Sequence, residues 1–457
     1  MDIIFAKQPE TLELAYGKNI ITLFDTDETS PTFVVQLFTS GATVASYDVR
    51  QFCNISGYAH FDLQNILKTR VEGNPYLETT AKLATSSYET YEYFIKAGYV
   101  GSNNTVFHQV SSSLKYVFNG RKDVTAVDWN DSLYVPQLSS GSLGGTSTLS
   151  VLGKQRALTD RHIDSVLGSE ITDGKPSWVS TGDTVWKLNR QATDHYTLSF
   201  LNAWDNFANG APSYHNGIAA FQIAIYSGST SLYNDVITNI VSNGGGPNTA
   251  ASGQSGSVRY PYKVISIQAG DLNTLFDTYT NATHYYIATA GWASSLFGGY
   301  IDTSDIYRFD IDECVDNDFA ATQVSWVNSF GFRDYFSFTK RSDNVANITR
   351  NTFRKLDADW SGTTISVSDS ARGEQVYDQS LSEEFTITTR YLTDAEANYL
   401  KNLYLSPDIR VRFSGENTWK SVVPISNQWT SRTFRKDKLF QYSLNFKLAN
   451  PIQLQRG

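Results

Sequence analysis

From Phe440 to Leu448 the chain alternates without a break: Phe440, Tyr442, Leu444, Phe446 and Leu448 fall on one side, Gln441, Ser443, Asn445 and Lys447 on the other. A two-residue period gathers all five apolar groups on one face of an extended strand, whereas a helix would scatter them around its axis. The same period recurs at Phe385, Ile387, Thr389 and Tyr391, at Ile409, Val411 and Phe413 against Arg410 and Arg412, and at Tyr91, Tyr93, Ile95 and Ala97. Shorter strand-like runs at 20–24, 32–38, 43–47, 58–63, 196–200, 220–226, 262–267, 284–289 and 307–311 are separated by turn residues. The fold class is therefore mainly β, with several antiparallel β-sandwiches of immunoglobulin-like size. The 27 Tyr and 26 Phe suit the pleated, half-buried surfaces such sheets present.

One well-marked helix interrupts the pattern. Thr393 and Glu396 stand at capping-box spacing, Tyr399, Leu400 and Leu403 form one apolar stripe, and Ser406-Pro407 ends the run. The spacing predicts a helix over 394–405, packed on the C-terminal sandwich. A second, short helix is expected at 160–167, where Ile163, Val166 and Leu167 share a face. The Ser40-Gly41 pair predicts a tight hairpin, and 61–67 reads as a strand end running into a helical turn. A chain of 457 residues exceeds one ordinary core. It divides into an N-terminal β-sandwich (1–123), a Gly/Ser-rich insertion or arm (124–189), a middle β domain (190–322) and a C-terminal β-sandwich (323–457). The low-complexity loop 242–257 in the middle domain is long enough to be functional or mobile, and in an assembly protein it would order against a neighbour.

The chemistry-bearing residues are scattered. His60, His108, His162, His195, His215 and His284 include no HxxxH or HExxH pair. Neither a GxSxG elbow between strand and helix nor a phosphate-binding glycine loop opening a helix is present. Cys53 and Cys314 have no nearby partner and read as free thiols or one long-range disulfide. The acidic stretch from Asp302 to Asp318 places Asp310 and Asp312 on one strand face, where such a pair would bind calcium, serve a glycosidase or merely face solvent. The rings of TNATHYYIATAGW, ending at Trp292, offer a sugar platform or core packing. With 46 Asp and Glu against 37 Lys and Arg, the net charge of −9 argues against dedicated nucleic-acid binding and suits DNA passing without sticking. The densest cationic patch, Arg432, Phe434, Arg435, Lys436 and Lys438, reads as a hairpin tip that contacts DNA, contacts an acidic neighbour or is simply solvated. No signal-peptide core and no membrane-spanning run is seen, so a soluble product is expected. The reading is of a non-enzyme with no catalytic residue, cofactor or metal.

The stretch Trp326-Val-Asn-Ser-Phe-Gly-Phe-Arg-Asp-Tyr-Phe-Ser-Phe338 resembles a segment of uncharacterised virion structural proteins from tailed phages of Bacteroidota hosts, crAss-like phages among them. Tyr262 to Asn273, Cys314 ahead of the motif, Leu392 to Pro407, Trp419 to Pro424 and Lys438 to Tyr442 follow in the same order, so the resemblance covers roughly 260–457. It departs at Phe330-Gly331-Phe332, where a second glycine is expected. The resemblance implies a subunit of a ring or hub in the portal–tail assembly around the DNA channel. It also implies portal and neck proteins as partners, transient passage of DNA, and a virion location after assembly in the host cytoplasm. Rings need subunits with two different faces, and a Tyr- and Phe-rich surface poor in charge suits permanent interfaces. Two other classes stand beside this reading, a receptor- or glycan-binding fibre component and a tail-associated glycan hydrolase.

Overall fold

A computed structural model describes residues 3–9, 12–17, 19–26, 32–39, 41–71, 83–86, 90–101, 103–121, 138–140, 152–155, 157–191, 194–201, 220–238, 264–268, 278–292, 300–302, 304–311, 321–354, 358–367, 373–416, 418–425, 441–450 and 452–453. Among the described residues the protein is mainly β, 58% strand against 5% helix, in antiparallel and mixed sheets. Two compact units divide the chain: residues 1–313 with 327–335, and residues 314–326 with 336–457. Among the described residues no helix is long and apolar enough to cross a membrane.

The first unit opens with a sandwich. Strands Ile3–Lys7, Ile20–Asp25 and Tyr58–Asp62 form one sheet. The other contains Leu12–Leu14, Lys115–Phe118, Thr90–Val100, Thr32–Thr39 and Tyr47–Phe52 in that order, with Val106–Ser111 also on Thr90–Val100. Ile21, Leu23 and Phe61 from one sheet meet Phe33, Val35, Tyr93, Ile95 and Val117 from the other in a single core. Pairing is antiparallel except where Tyr116 lies parallel to Leu12. The expected tight hairpin at Ser40-Gly41 is wider: the second strand starts at Tyr47, opposite Leu37, and Gly41 takes a positive φ of 77° in the connection.

Among the described residues, the rest of this unit holds a seven-stranded mixed sheet, a three-stranded one and a two-stranded one of Leu138–Ser140 with Leu152–Gln155. The larger runs Ser165–Leu167, Thr184–Arg190, Ile306–Ile311, His284–Trp292, Ala220–Ser227 and Thr230–Thr238, with Tyr300–Asp302 on His284–Trp292. The smaller joins Thr197–Leu201, Val264–Gln268 and Leu83–Ser86, so residues early in the chain complete a sheet begun near residue 197. Phe200 meets Phe221 and Tyr307 at 5.8 and 5.7 Å between ring centres, which packs the two sheets together. The short helix expected at 160–167 is absent. Residues Ser165–Leu167 instead pair antiparallel with Thr184 to Trp186, because three ladder pairs against an existing strand outweigh a helix too short to nucleate.

The sheet that builds the second unit has eight strands and runs Arg333–Phe338 (whose first three residues count with the first unit), Thr322–Val327, Ile409–Arg412, Lys420–Pro424, Ser443–Leu448, Glu374–Thr388 and Ser342–Arg354, with Ile452–Gln453 also on Glu374–Thr388. The predicted helix is present at Asp394–Tyr404, and its capping box is complete: the Glu396 amide donates to the Thr393 hydroxyl at 3.3 Å, and the Thr393 amide to the Glu396 carboxylate at 3.1 Å. Its stripe of Tyr399, Leu400 and Leu403 buries against Trp326, Ile387, Ile409, Leu444 and Phe446. Full burial of each such side chain stabilises by about 1.5–3 kcal/mol. Leu444 and Phe446 are buried while Ser443, Asn445 and Lys447 are exposed, as the alternation requires.

Candidate assembly surface

Strand Ser342–Arg354 ends the second unit's sheet, and all 13 of its residues are exposed. Its one partner among the described residues is Glu374–Thr388, in a register running from Ser342 opposite Ile387 to Arg354 opposite Glu374. The two strands outrun the sheet. Ser443–Leu448 supports Glu374–Thr388 only from Thr388 to Glu384, and Ile452–Gln453 adds Leu381 and Ser380. Beyond Ser380, among the described residues, a two-stranded ribbon continues, with an extra residue at Tyr377 bending it. A second hairpin follows between the two long strands, Ala358–Ser361 with Thr364–Val367. Gly362 (φ 59°) provides the positive φ its two-residue turn needs. Val345, Ile348, Phe353, Ile365, Val367 and Tyr377 all stand exposed on this arm.

The outer edge carries few of the devices that normally blunt such strands. Ser342–Arg354 contains no Lys and no Pro, and its charges are Asp343, Arg350 and Arg354. A long edge with free backbone donors and acceptors is a template for another strand. This was the surface least visible in the sequence, since a strand exposed on both faces carries no alternation.

The Trp326–Phe338 motif is a hairpin whose turn organises itself. Asn328 accepts the amides of Phe330 and Phe332 on its side-chain oxygen, at 2.9 and 3.0 Å. The Asn328 side chain donates to the Leu158 carbonyl at 2.8 Å. Gly331 sits at φ 83°, and a Cβ there would lie 1.5 Å from the Asn119 carbonyl oxygen, so only glycine fits. Two acids close the tip. Asp160 accepts the Ser329 amide at 2.9 Å and the Ser329 hydroxyl; Asp334 accepts the Asp160 amide at 3.0 Å and the Thr159 hydroxyl. Burial, and then the nearby Asp160 carboxylate, push the Asp334 carboxyl up to about 7. The turn of the motif, residues 327–335, is thus a clasp inside the first unit, while Trp326, Phe336 and Phe338 pack in the second unit's core.

The remaining candidate residues do not converge. Arg432, Phe434, Arg435, Lys436 and Lys438, the loop 242–257, Cys314, His215 and Asp312 to Asp318 all lie outside the described residues. Asp310 is held by Arg308 at 2.6 Å and approached by Lys187 at 3.7 Å. Asp305, expected in a solvated acidic stretch, is buried and accepts from the Trp186 indole at 3.0 Å. Arg308 also grips Asp173 through both terminal nitrogens (2.7 and 2.6 Å), which holds that carboxyl below the usual carboxylate range. Tyr285 and Tyr286 are buried, so neither offers a ring face to a sugar. His60, His108, His162 and His284 are hydrogen-bonded to Thr22, Gln36, Tyr307 and the Gly174 carbonyl. Among the described residues no three of His, Cys, Asp and Glu gather around a point where a metal ion would sit. Cys53 is a half-buried free thiol. The chain matches no protein-family model and no curated protein.

Proposed function

We propose that the protein is a non-enzymatic virion structural component, a subunit of a ring or hub in the portal–tail region around the DNA channel. One observation carries this reading: the arm built on Ser342–Arg354 and Glu374–Thr388, a ribbon whose 13-residue outer edge meets no further strand among the described residues. A two-stranded ribbon in water is marginal by itself, and such an edge is what other chains complete by adding strands. The resemblance over 260–457 supplies the setting, and the net charge of −9 suits a conduit through which DNA slides. Native mass spectrometry of the protein mixed with candidate portal and neck proteins tests the reading. A cyclic species of many copies is the expected result, and its mass gives the symmetry. A stable trimer indifferent to those partners would overturn it in favour of a fibre component.

A further inference from the structure

Ser342–Arg354 also carries information about what covers it. Two copies of one strand that pair antiparallel about a two-fold axis keep the same face of each strand on the same side of the joint sheet. Odd-numbered residues then oppose odd ones and even oppose even, so few registers exist, and each is defined by the residue on the axis. An axis at Arg350 would oppose two guanidinium groups. An axis at Ile348 places Val345 opposite Asn351 and Phe353 opposite Asp343. With Thr349 on the axis, Val345 meets Phe353 twice, Asn347 meets Asn351 twice, and Thr349 meets its own copy. On the other face Ile348 meets Arg350, Ala346 meets Thr352 and Asn344 meets Arg354. No like charges are opposed. Val345 (53% exposed) and Phe353 (44%) are the two large apolar groups on the odd face of this strand, and this register alone brings them together.

We propose that in the free protein a second copy of the same chain caps the arm, through antiparallel pairing of residues 344–354 about Thr349. The pairing extends the eight-stranded sheet across two molecules and contributes about ten backbone hydrogen bonds. The apolar and Thr–Thr pairs across the joint are each of the kind that stabilises sheets. A two-fold contact closes on itself, so it holds the protein as a dimer rather than an open polymer until other chains compete for the edge. This inference goes beyond the ring reading and stands without it.

Two variants test it. In a Cys53→Ser/Cys314→Ser background, Thr349→Cys places thiols on the two-fold, where directly opposed Cα atoms about 4.5–5.5 Å apart lie within disulfide range. Mild oxidation is expected to convert most of the protein to a covalent dimer, while the background that retains Thr349 stays uncrosslinked. Val345→Lys/Phe353→Lys opposes like charges twice and is expected to raise the dimer dissociation constant tenfold or more in sedimentation or mass photometry. Wild-type protein that is monomeric at about 50 μM, or Thr349→Cys that fails to crosslink, overturns the proposal. Should the double-lysine variant misfold, the crosslink alone decides. The ring is read separately: wild type that is monomeric alone yet joins portal proteins in a cyclic species sinks only the arm pairing, and a wild-type dimer that never joins them sinks only the ring.

Discussion

Asp334 gives a prediction whose sign and size both follow from its surroundings. The side chain is 2% exposed, and its carboxyl titrates at about 7 against an ordinary 3.8. The folded protein thus holds this proton more tightly than the unfolded chain does. Stability from this group is fully present below about pH 4, falls as pH rises towards 7, and is level above that. Each pH unit across that window costs about 1.4 kcal/mol, so the total is about 4 kcal/mol. Asp334→Asn keeps the shape without the charge. Its amide oxygen retains the Asp160 amide, and its NH2 group turns to the Thr159 hydroxyl, which rotates to accept. The variant should match wild type near pH 4 and exceed it by up to about 4 kcal/mol at pH 8. For a unit of this size, at roughly 2 °C per kcal/mol, the gain at pH 8 is about 8 °C in Tm. Scanning calorimetry of both proteins at pH 4, 6 and 8 reads the difference for the Asp334–Asp160 pair and cancels the titrating groups that do not touch it. Parallel pH profiles for the two proteins would refute the argument, because the charge would then cost the fold nothing.

Two further outcomes are expected. Gly331→Ala forces a Cβ onto the Asn119 carbonyl at a positive φ and should cost about 3 kcal/mol or more; unchanged thermal stability would show that the tip does not seat there. Thr393→Ala removes half of the capping box on the Asp394–Tyr404 helix and should lower the stability of the second unit by about 1 kcal/mol in urea titration, an effect that Thr393→Ser should largely restore.

Strands with one buried face were legible because burial writes itself into the sequence every second residue, as at Leu444 and Phe446. The Asp394–Tyr404 helix was legible because its cap and its stripe are both local. The 160–167 segment misled because Ile163, Val166 and Leu167 fit a helical face as well as a three-residue strand, and only the distant strand at Thr184 chooses between them. The arm was silent for the opposite reason. SDNVANITRNTFR buries nothing, so no periodicity marks it, although it is the surface on which assembly would turn. The stretch from Trp326 to Phe338 is locally rich in aromatics, yet the closure of its turn depends on Asp160 reaching Ser329 and Asp334 reaching Thr159, partners about 170 positions apart that no local pattern connects.

The division of the chain into 1–313 plus 327–335 on one side and 314–326 plus 336–457 on the other bears on how the protein is made. A ribosome delivers residues in order. The first unit cannot be finished when residue 313 emerges: the turn that lodges Gly331 against Asn119 and closes Asp334 onto Thr159 is still unsynthesised. By the time it arrives, Thr322–Val327 is already out and waiting for Ile409–Arg412, more than eighty residues later. Neither unit is a detachable module, and a chain cut at 313 would leave the tunnel with an open socket where its last turn should sit.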